Sequence, residues 1–255
     1  MTPQERNSLI HDGERLDDLQ LGGLHIIQNP GTFCFGIDAV LLSGFIRVRK
    51  GARIVDLGSG NGILPLLLSK KTQAEEIVGL EIRQDAADEA RRSFAWNGLE
   101  NRLSMVTGDI REASALFGCG SFSAVVSNPP YLAAGGGLVN PDPGKAAARH
   151  ELLCTFEEIV RETYRLLKPG GRFFMIHRPQ RLTELICLMH KYRVEPKRLR
   201  MVQPYADQRP TMVLIEGLRD GGGGLVTEPP LVIYRARGVY TQEVLEIYGR
   251  AGEQA

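Results

Sequence analysis

Arg53-Ile-Val-Asp56-Leu-Gly58-Ser-Gly60-Asn-Gly62 is the stretch from which the fold is read. A short apolar run ends on an acid and opens into three glycines at alternate positions. Ile63, Leu64, Leu66, Leu67 and Leu68 follow at once. Strand, tight loop and helix is the reading. The alternation continues downstream. Residues 76–81, 103–106, 122–126 and 172–176 read as further strands. Residues 84–97, with Ala87, Ala90, Phe94 and Trp96 inward, read as a helix, as do 156–167 and 182–190. Lys168-Pro-Gly-Gly171 stops the second of these helices. Residues 199–202 and 211–216 complete seven strands, 231–234 form a late short strand, and 241–248 a terminal helix. Strands alternating with helices predict a mostly parallel, Rossmann-like sheet with helices on both faces.

Upstream of this unit the pattern changes. Residues 1–18 are polar and charged, and are expected to be loosely ordered or helical. Residues 19–27 read as two short strands around Gly22-Gly23. A glycine-studded loop over 29–38 leads to Asp38, a candidate cap for a helix carrying Val40, Leu41, Leu42 and Phe45. The expected organisation is an N-terminal extension over 1–50, formed by the hairpin and its loop, followed by one domain over 51–255.

Composition excludes several classes. The 255 residues carry 31 basic and 30 acidic side chains, a formal charge of +1, so any nucleic-acid surface must be local. Cys34, Cys119, Cys154 and Cys187 form no C-x-x-C pair, which fits a reducing cytosol and argues against a zinc site or disulfide frame. The five histidines form no ligand pattern, and no metal is expected. Apolar runs such as 63–68 are too short to span a bilayer, and the N-terminus lacks a signal-peptide core. A soluble, cytoplasmic protein is expected.

In sheets of this kind ligands lie beyond the carboxyl ends of the strands. Asp56, Gly58, Glu81, Asp109 and Asn128 all fall there. A dinucleotide fingerprint would place a third glycine at position 63, which is Ile63, and Asp56 would repel a pyrophosphate. A cationic ligand fits better. S-adenosylmethionine, with an ammonium, a sulfonium and no phosphate, is such a ligand. Gly58, Gly60 and Gly62 would let the backbone approach its amino-acid portion, and Asn61 in the same loop is a further candidate contact. Glu81, 23 residues after Gly58, can accept two ribose hydroxyls. Asp109 can accept the adenine amine, and Ile82, Ile110 and Asn128 complete the candidate cofactor contacts. Each acid could also be a helix cap or a solvated strand end.

Ser127-Asn-Pro-Pro-Tyr131 follows the fourth strand. The residue before a proline is held extended, and the prolines donate no N–H. The segment is therefore rich in acceptors. Asn128 and the Pro129 carbonyl can hold a planar amine, and Tyr131 can stack on it. The plainer alternative is a proline-rich turn with Tyr131 in the core.

With these motifs in order, the chain resembles class I S-adenosylmethionine-dependent methyltransferases, in the branch that methylates exocyclic amines and carboxamides. More narrowly it is similar to bacterial tRNA(Val) adenine-N6 methyltransferases, which act 3′ to the anticodon at position 37. Phe35-Gly-Ile-Asp-Ala-Val-Leu-Leu42, Ala148-Arg-His-Glu151, Pro230-Leu-Val-Ile-Tyr234 and Tyr240-Thr241 support this. The resemblance implies Asn128, Pro129 and Tyr131 as catalytic residues. It also implies a loop from Phe35 to Asp38 that closes over S-adenosylmethionine, and Arg149 and Glu151 ordering the loop over the base. The implied partner is RNA, in particular the tRNA anticodon loop.

Arg178, Arg181, Lys191, Arg193, Lys197, Arg198 and Arg200, against Glu184 and Glu195, mark a candidate RNA surface, the alternative being an ordinary solvated face. Competing functions are methylation of a protein glutamine at N5, an rRNA amine or DNA adenine, and non-catalytic RNA binding on the same fold. The glutamine enzymes normally carry an N-terminal helical domain, the guanine-N2 rRNA enzymes a duplicated domain, and DNA adenine enzymes a target-recognition insert.

Overall fold

The computed structural model describes residues 8–31, 34–129 and 154–250. Tyr131, Arg149 and Glu151 lie outside the described residues. After the hairpin β1 (Arg15–Asp18) and β2 (His25–Gln28) comes α1 (Ile37–Phe45). Then follow β3 (Arg53–Leu57), α2 (Ile63–Lys71), β4 (Glu76–Glu81), α3 (Gln84–Trp96), β5 (Leu103–Thr107), α4 (Ala113–Phe117) and β6 (Phe122–Ser127). The second half holds α5 (Phe156–Leu166), β7 (Leu167–His177), α6 (Leu182–Lys191), β8 (Val194–Gln203), β9 (Met212–Arg219) and β10 (Val226–Val232). A small hairpin, β11 (Tyr234–Ala236) and β12 (Val239–Tyr240), precedes α7 (Gln242–Ile247).

The main sheet has the order β10-β8-β9-β7-β6-β3-β4-β5. The run from β7 through β5 is parallel, and β9 alone is antiparallel to its neighbours. Period-two alternation divides the core between the faces. Ile54, Ile77, Ala124, Phe174 and Leu214 pack with α1, α2 and α3. Val55, Val78, Val125, Phe173 and Val213 pack with α5 and α6. Both faces are covered, which is why the parallel strands read as unbroken apolar runs.

Several expectations need correction. The sheet has eight strands, not seven, because β10 pairs parallel to β8 with a register shift between Glu228 and Leu231. Pro229 and Pro230 fall at that shift, where missing N–H donors are tolerated on an edge strand. The N-terminal hairpin turns around Gly22-Gly23 as read, at φ +58° and +74°. Its first strand is Arg15–Asp18, however, so the segment before residue 19 is not merely loose or helical. β7 begins at Leu167, and Lys168–Gly171 forms a bulge within it rather than a stop before it. Trp96 is half-exposed against the His25 ring rather than in the core. Gly36, not Asp38, is the N-cap of α1, and Asp38 lies in the first turn.

The hairpin docks on α3 through buried polar contacts. Ser93 Oγ accepts from the Ile27 N–H at 2.9 Å, and Asn97 exchanges hydrogen bonds with the His25 backbone at 2.9 and 2.7 Å. Arg92 clamps Glu14 through both guanidinium nitrogens, at 2.6 and 2.7 Å.

Candidate active site

Register alone puts the candidate residues in a row. Asp56 pairs with Val126 on one side and Gly79 on the other. Carried two residues on, that register sets Gly58 beside Asn128 and beside Glu81, and Glu81 pairs with Thr107. Four strands therefore end level, and at a spacing of about 4.8 Å per strand Asn128 and Glu81 stand about 10 Å apart with Gly58 between them. The Ser127 hydroxyl, fully buried, donates to the Leu57 carbonyl at 2.8 Å and ties the tip of β6 to that of β3.

The glycine loop is held from β4. Gly58 and Ser59 donate to the Leu80 carbonyl at 2.9 and 3.0 Å, and the Gly60 N–H donates to the Glu81 carboxylate at 2.9 Å. The second Glu81 oxygen accepts from the Arg83 N–H at 2.9 Å. Glu81 thus fixes the loop and still has lone pairs to offer. Gly62 is left-handed at φ +79°, and a Cβ there would meet the Phe94 ring at 2.8 Å and Ala90 at 2.9 Å. Only glycine lets α2 start this close to α3.

Asp56 carries the electrostatic signature of the site. It is fully buried, and neither carboxylate oxygen has a hydrogen-bond partner among the described residues; nor does the Ser59 hydroxyl. Burial pushes its carboxyl up to about 7, the Ser59 hydroxyl beside it acts in the opposite direction, and the Glu81 charge adds to the rise. A buried carboxylate without a partner fits a cationic ligand that supplies one. The sign follows from linkage. Below pH 7 the carboxyl is protonated and must lose its proton to meet a cation. Affinity for S-adenosylmethionine is therefore expected to strengthen from pH 5.5 to 7 by up to about tenfold per unit, then level off. Calorimetry across that range checks it. Asp56→Asn should flatten the profile, and an equally steep profile in that variant would remove Asp56 from the linkage.

Asp109 takes the cap role that the sequence left as its alternative. It caps the 3-10 turn Ile110–Glu112 by accepting from the Arg111 N–H at 2.8 Å. The Arg111 guanidinium chelates both its oxygens and holds its carboxyl below the usual range. An adenine amine would have to share that carboxylate. Ile82 is exposed and Ile110 half-buried, its Cδ1 within 3.7 Å of where a Cβ on Gly58 would stand, so both offer apolar surface near the tips.

Phe35 lines a cavity of about 300 Å³ with Leu21, Val40, Leu67, Tyr240 and Tyr248 rather than with the strand-tip acids. Its backbone is nonetheless joined to the glycine loop. Buried Gln28 accepts from the Phe35 N–H at 3.2 Å and from Asn61 Nδ2 at 3.5 Å, and donates to Asp17. The Asp38 carboxylate accepts from the Ala39 N–H at 3.0 Å. Gln28 was missed in the sequence; its one signal was a polar residue closing an apolar strand. His177 was missed too. Continuing the β6–β7 register sets it level with Pro129. Burial and the nearby Arg181 charge push its imidazole down to about 4, and its Nδ1 accepts from the Arg178 N–H at 2.8 Å. It is a neutral ring at physiological pH.

The basic region read from the sequence is largely neutralised. Arg181 pairs with Glu184, Lys191 with Glu157, Arg193 with Asp220, and Arg200 with Glu243. Arg198 is mostly buried between Glu216 and Glu228, at 3.1 and 3.0 Å, with its guanidinium 4.0 Å over the Phe45 ring. Lys197 donates to the Gly222 and Gly223 carbonyls. Counting only Glu184 and Glu195 overlooked acids that are distant in sequence and adjacent in space.

A doubly covered sheet with this strand order, a glycine loop and acid-tipped strands defines a class I methyltransferase fold. The chain belongs to the methyltransferase small domain family, whose model matches residues 23–193. Among curated proteins it is 30% identical over 221 residues to the tRNA1(Val) (adenine(37)-N6)-methyltransferase of Porphyromonas gingivalis, covering 83% of this chain and 86% of that one. It is 27% identical to the protein of the same name from Aeromonas salmonicida, covering 88% and 92%. Among solved structures, a predicted O-methyltransferase from Agrobacterium tumefaciens aligns with TM-score 0.67 at 22% identity, covering 86% of this chain and 98% of that one. Pyrococcus horikoshii TYW2 in complex with MeSAdo aligns with TM-score 0.58 at 15% identity, covering 83% and 73%. These two show the fold. No helix among the described residues is long and apolar enough to cross a membrane.

Proposed function

We infer that this protein transfers the methyl group of S-adenosylmethionine to the N6 amine of adenine 37 in tRNA1(Val). The observation that carries the substrate is similarity along 86% and 92% of two curated enzymes of that name. The geometry supports the chemistry. Asp56 offers a buried charge to a cation, Glu81 offers lone pairs to the ribose, and Asn128 stands one strand away from the glycine loop.

S-adenosylmethionine supplies an electrophilic methyl on a sulfonium. The adenine amine is a poor nucleophile because its lone pair is delocalised into the ring. Asn128 and the Pro129 carbonyl would accept its two N–H bonds, orient the lone pair and stabilise the positive charge growing on nitrogen. As the C–N bond forms and the C–S bond breaks, that nitrogen becomes an acidic ammonium, and its proton passes to water without a strong base. Holding the reactants at attack distance can supply roughly 7–11 kcal/mol of barrier lowering. The base must leave its stack, which is easiest in a loop.

The test is radiolabelled methyl transfer to total tRNA, total rRNA and release factor in parallel, followed by nucleoside analysis. Label in tRNA recovered as N6-methyladenosine is the expected result. Label in release factor alone would move the substrate to a protein glutamine.

A further inference from the structure

β8 and β10 run in the same direction as the central parallel strands, because β9 is antiparallel to both β7 and β8 while β10 is parallel to β8. The chain therefore leaves β8 at Gln203 and β10 at Val232 on the sheet edge where Asn128 leaves β6. Three strand spacings separate β8 from β6, about 14 Å. Both exits carry tyrosines, and their rings form one column. Tyr205 and Tyr234 have centroids 5.6 Å apart at a tilt of 37°, while Tyr234 and Tyr240 stack at 5.2 Å and 14°, and Tyr240 and Tyr248 at 5.4 Å and 23°. The backbone fixes this column. Ile233 donates to Gln203 and Tyr234 to Pro204, each at 2.9 Å, and Thr241 bonds back to Ile233 and Val232. Arg250 approaches the Tyr248 ring at 6.0 Å and closes that end, whereas Tyr205 at the other end is only half-buried.

Charge accompanies the rings. Arg235 and Arg237 are exposed around the tip of the β11–β12 hairpin, and Arg209 is exposed in the 204–211 loop with Tyr205. None of the three has an ion-pair partner among the described residues, in contrast to Arg181, Arg193, Arg198 and Arg200. Asp207 is the one acid in that loop. Exposed arginines beside stacked rings suit an RNA strand: guanidiniums take phosphates, and a terminal ring takes a base whatever its identity.

We propose that the tyrosine column ending at Tyr205, with Arg209, Arg235 and Arg237, is a docking platform for the tRNA strand flanking the methylated adenine. The proposal rests on the tRNA reading above and adds where the RNA lies. Phosphates contact the hairpin arginines, an unstacked loop base sits on Tyr205, and the target base reaches the Asn128 turn along the same edge.

The experiment compares wild-type protein with the double variant Arg235→Ala/Arg237→Ala, with Tyr205→Ala and Tyr205→Phe, and with Arg193→Ala as a control in the neutralised region. Anisotropy with tRNA1(Val) transcript over a salt series gives affinity, methyl transfer gives KM and kcat, and calorimetry gives S-adenosylmethionine binding. The double variant should lose roughly 10- to 100-fold in tRNA affinity and reduce the salt slope by about 1.5. Its kcat at saturating tRNA and its cofactor affinity should not change. Tyr205→Ala should lose about 5- to 100-fold, and Tyr205→Phe should restore binding because the ring is what stacks. Arg193→Ala should stay within about twofold. Unchanged KM and salt slope in the double variant, or an equal loss in the control, overturns the platform and leaves the function standing. A wild-type protein that binds no tRNA overturns both.

Discussion

Asn128→Ala should lower kcat by about 10²–10³-fold or more while S-adenosylmethionine binds within about twofold of wild type. The division follows from position. Asn128 stands level with Gly58 on the neighbouring strand, yet the contacts that hold the glycine loop come from the other side, from Leu80 and Glu81. Removing the amide therefore leaves those loop contacts intact and, on the proposed reading, takes away an acceptor for the reacting nitrogen. The effect should fall on kcat, because the hydrogen bond strengthens as the amine gains positive charge and so acts mainly in the transition state. Asn128→Asp keeps an acceptor and should retain part of the rate, although a carboxylate beside Pro129 is not matched to a neutral adenine. Single-turnover methyl transfer with tRNA1(Val), alongside calorimetry with S-adenosylmethionine, separates the two effects. Equal losses in rate and cofactor affinity would make Asn128 part of the cradle rather than of the acceptor turn.

Much of this arrangement was legible because it depends on local pattern. The parallel strands are buried on both faces, so they stand out as apolar runs; their spatial order, with β6 beside β3 and β9 between β7 and β8, was not read from them. The acids at the strand tips could be located because register in such a sheet is set by those runs. What the sequence hid depends on partners far away in the chain. Glu216 and Glu228 bury Arg198, and Glu243 reaches Arg200 from a helix 43 residues on, so a basic run became a set of ion pairs. Gln28 joins the loop before α1 to Asn61 across 33 residues, and no periodicity marks it. For Asp109 the pattern left an adenine acceptor and a helix cap both open, and nothing in it marked the Arg111 guanidinium two residues later as the partner of that carboxylate. β10 escaped as a full strand because Pro229 and Pro230 interrupt it, and only the edge position makes those prolines tolerable.

Glu81→Ala should weaken S-adenosylmethionine binding by about 30- to 100-fold, as expected for losing one or two hydrogen bonds to a charged acceptor. Two causes would act together. The ribose loses its acceptor, and the Gly60 N–H loses the carboxylate that sets the loop. They can be told apart with an analogue lacking one ribose hydroxyl. In the wild-type protein the deletion of that hydroxyl should cost about tenfold or more. In Glu81→Ala it should cost little, because its partner is already gone; the difference between the two penalties is the coupling itself. Glu81→Gln sharpens the distinction. Its single carbonyl oxygen can still accept from Gly60, but its NH2 faces the Arg83 N–H, donor against donor. It should keep the loop better than alanine does, and accept ribose hydroxyls worse than the native carboxylate. If the hydroxyl deletion costs the same in all three proteins, Glu81 acts on the loop alone, and the ribose is held from elsewhere on the strand edge.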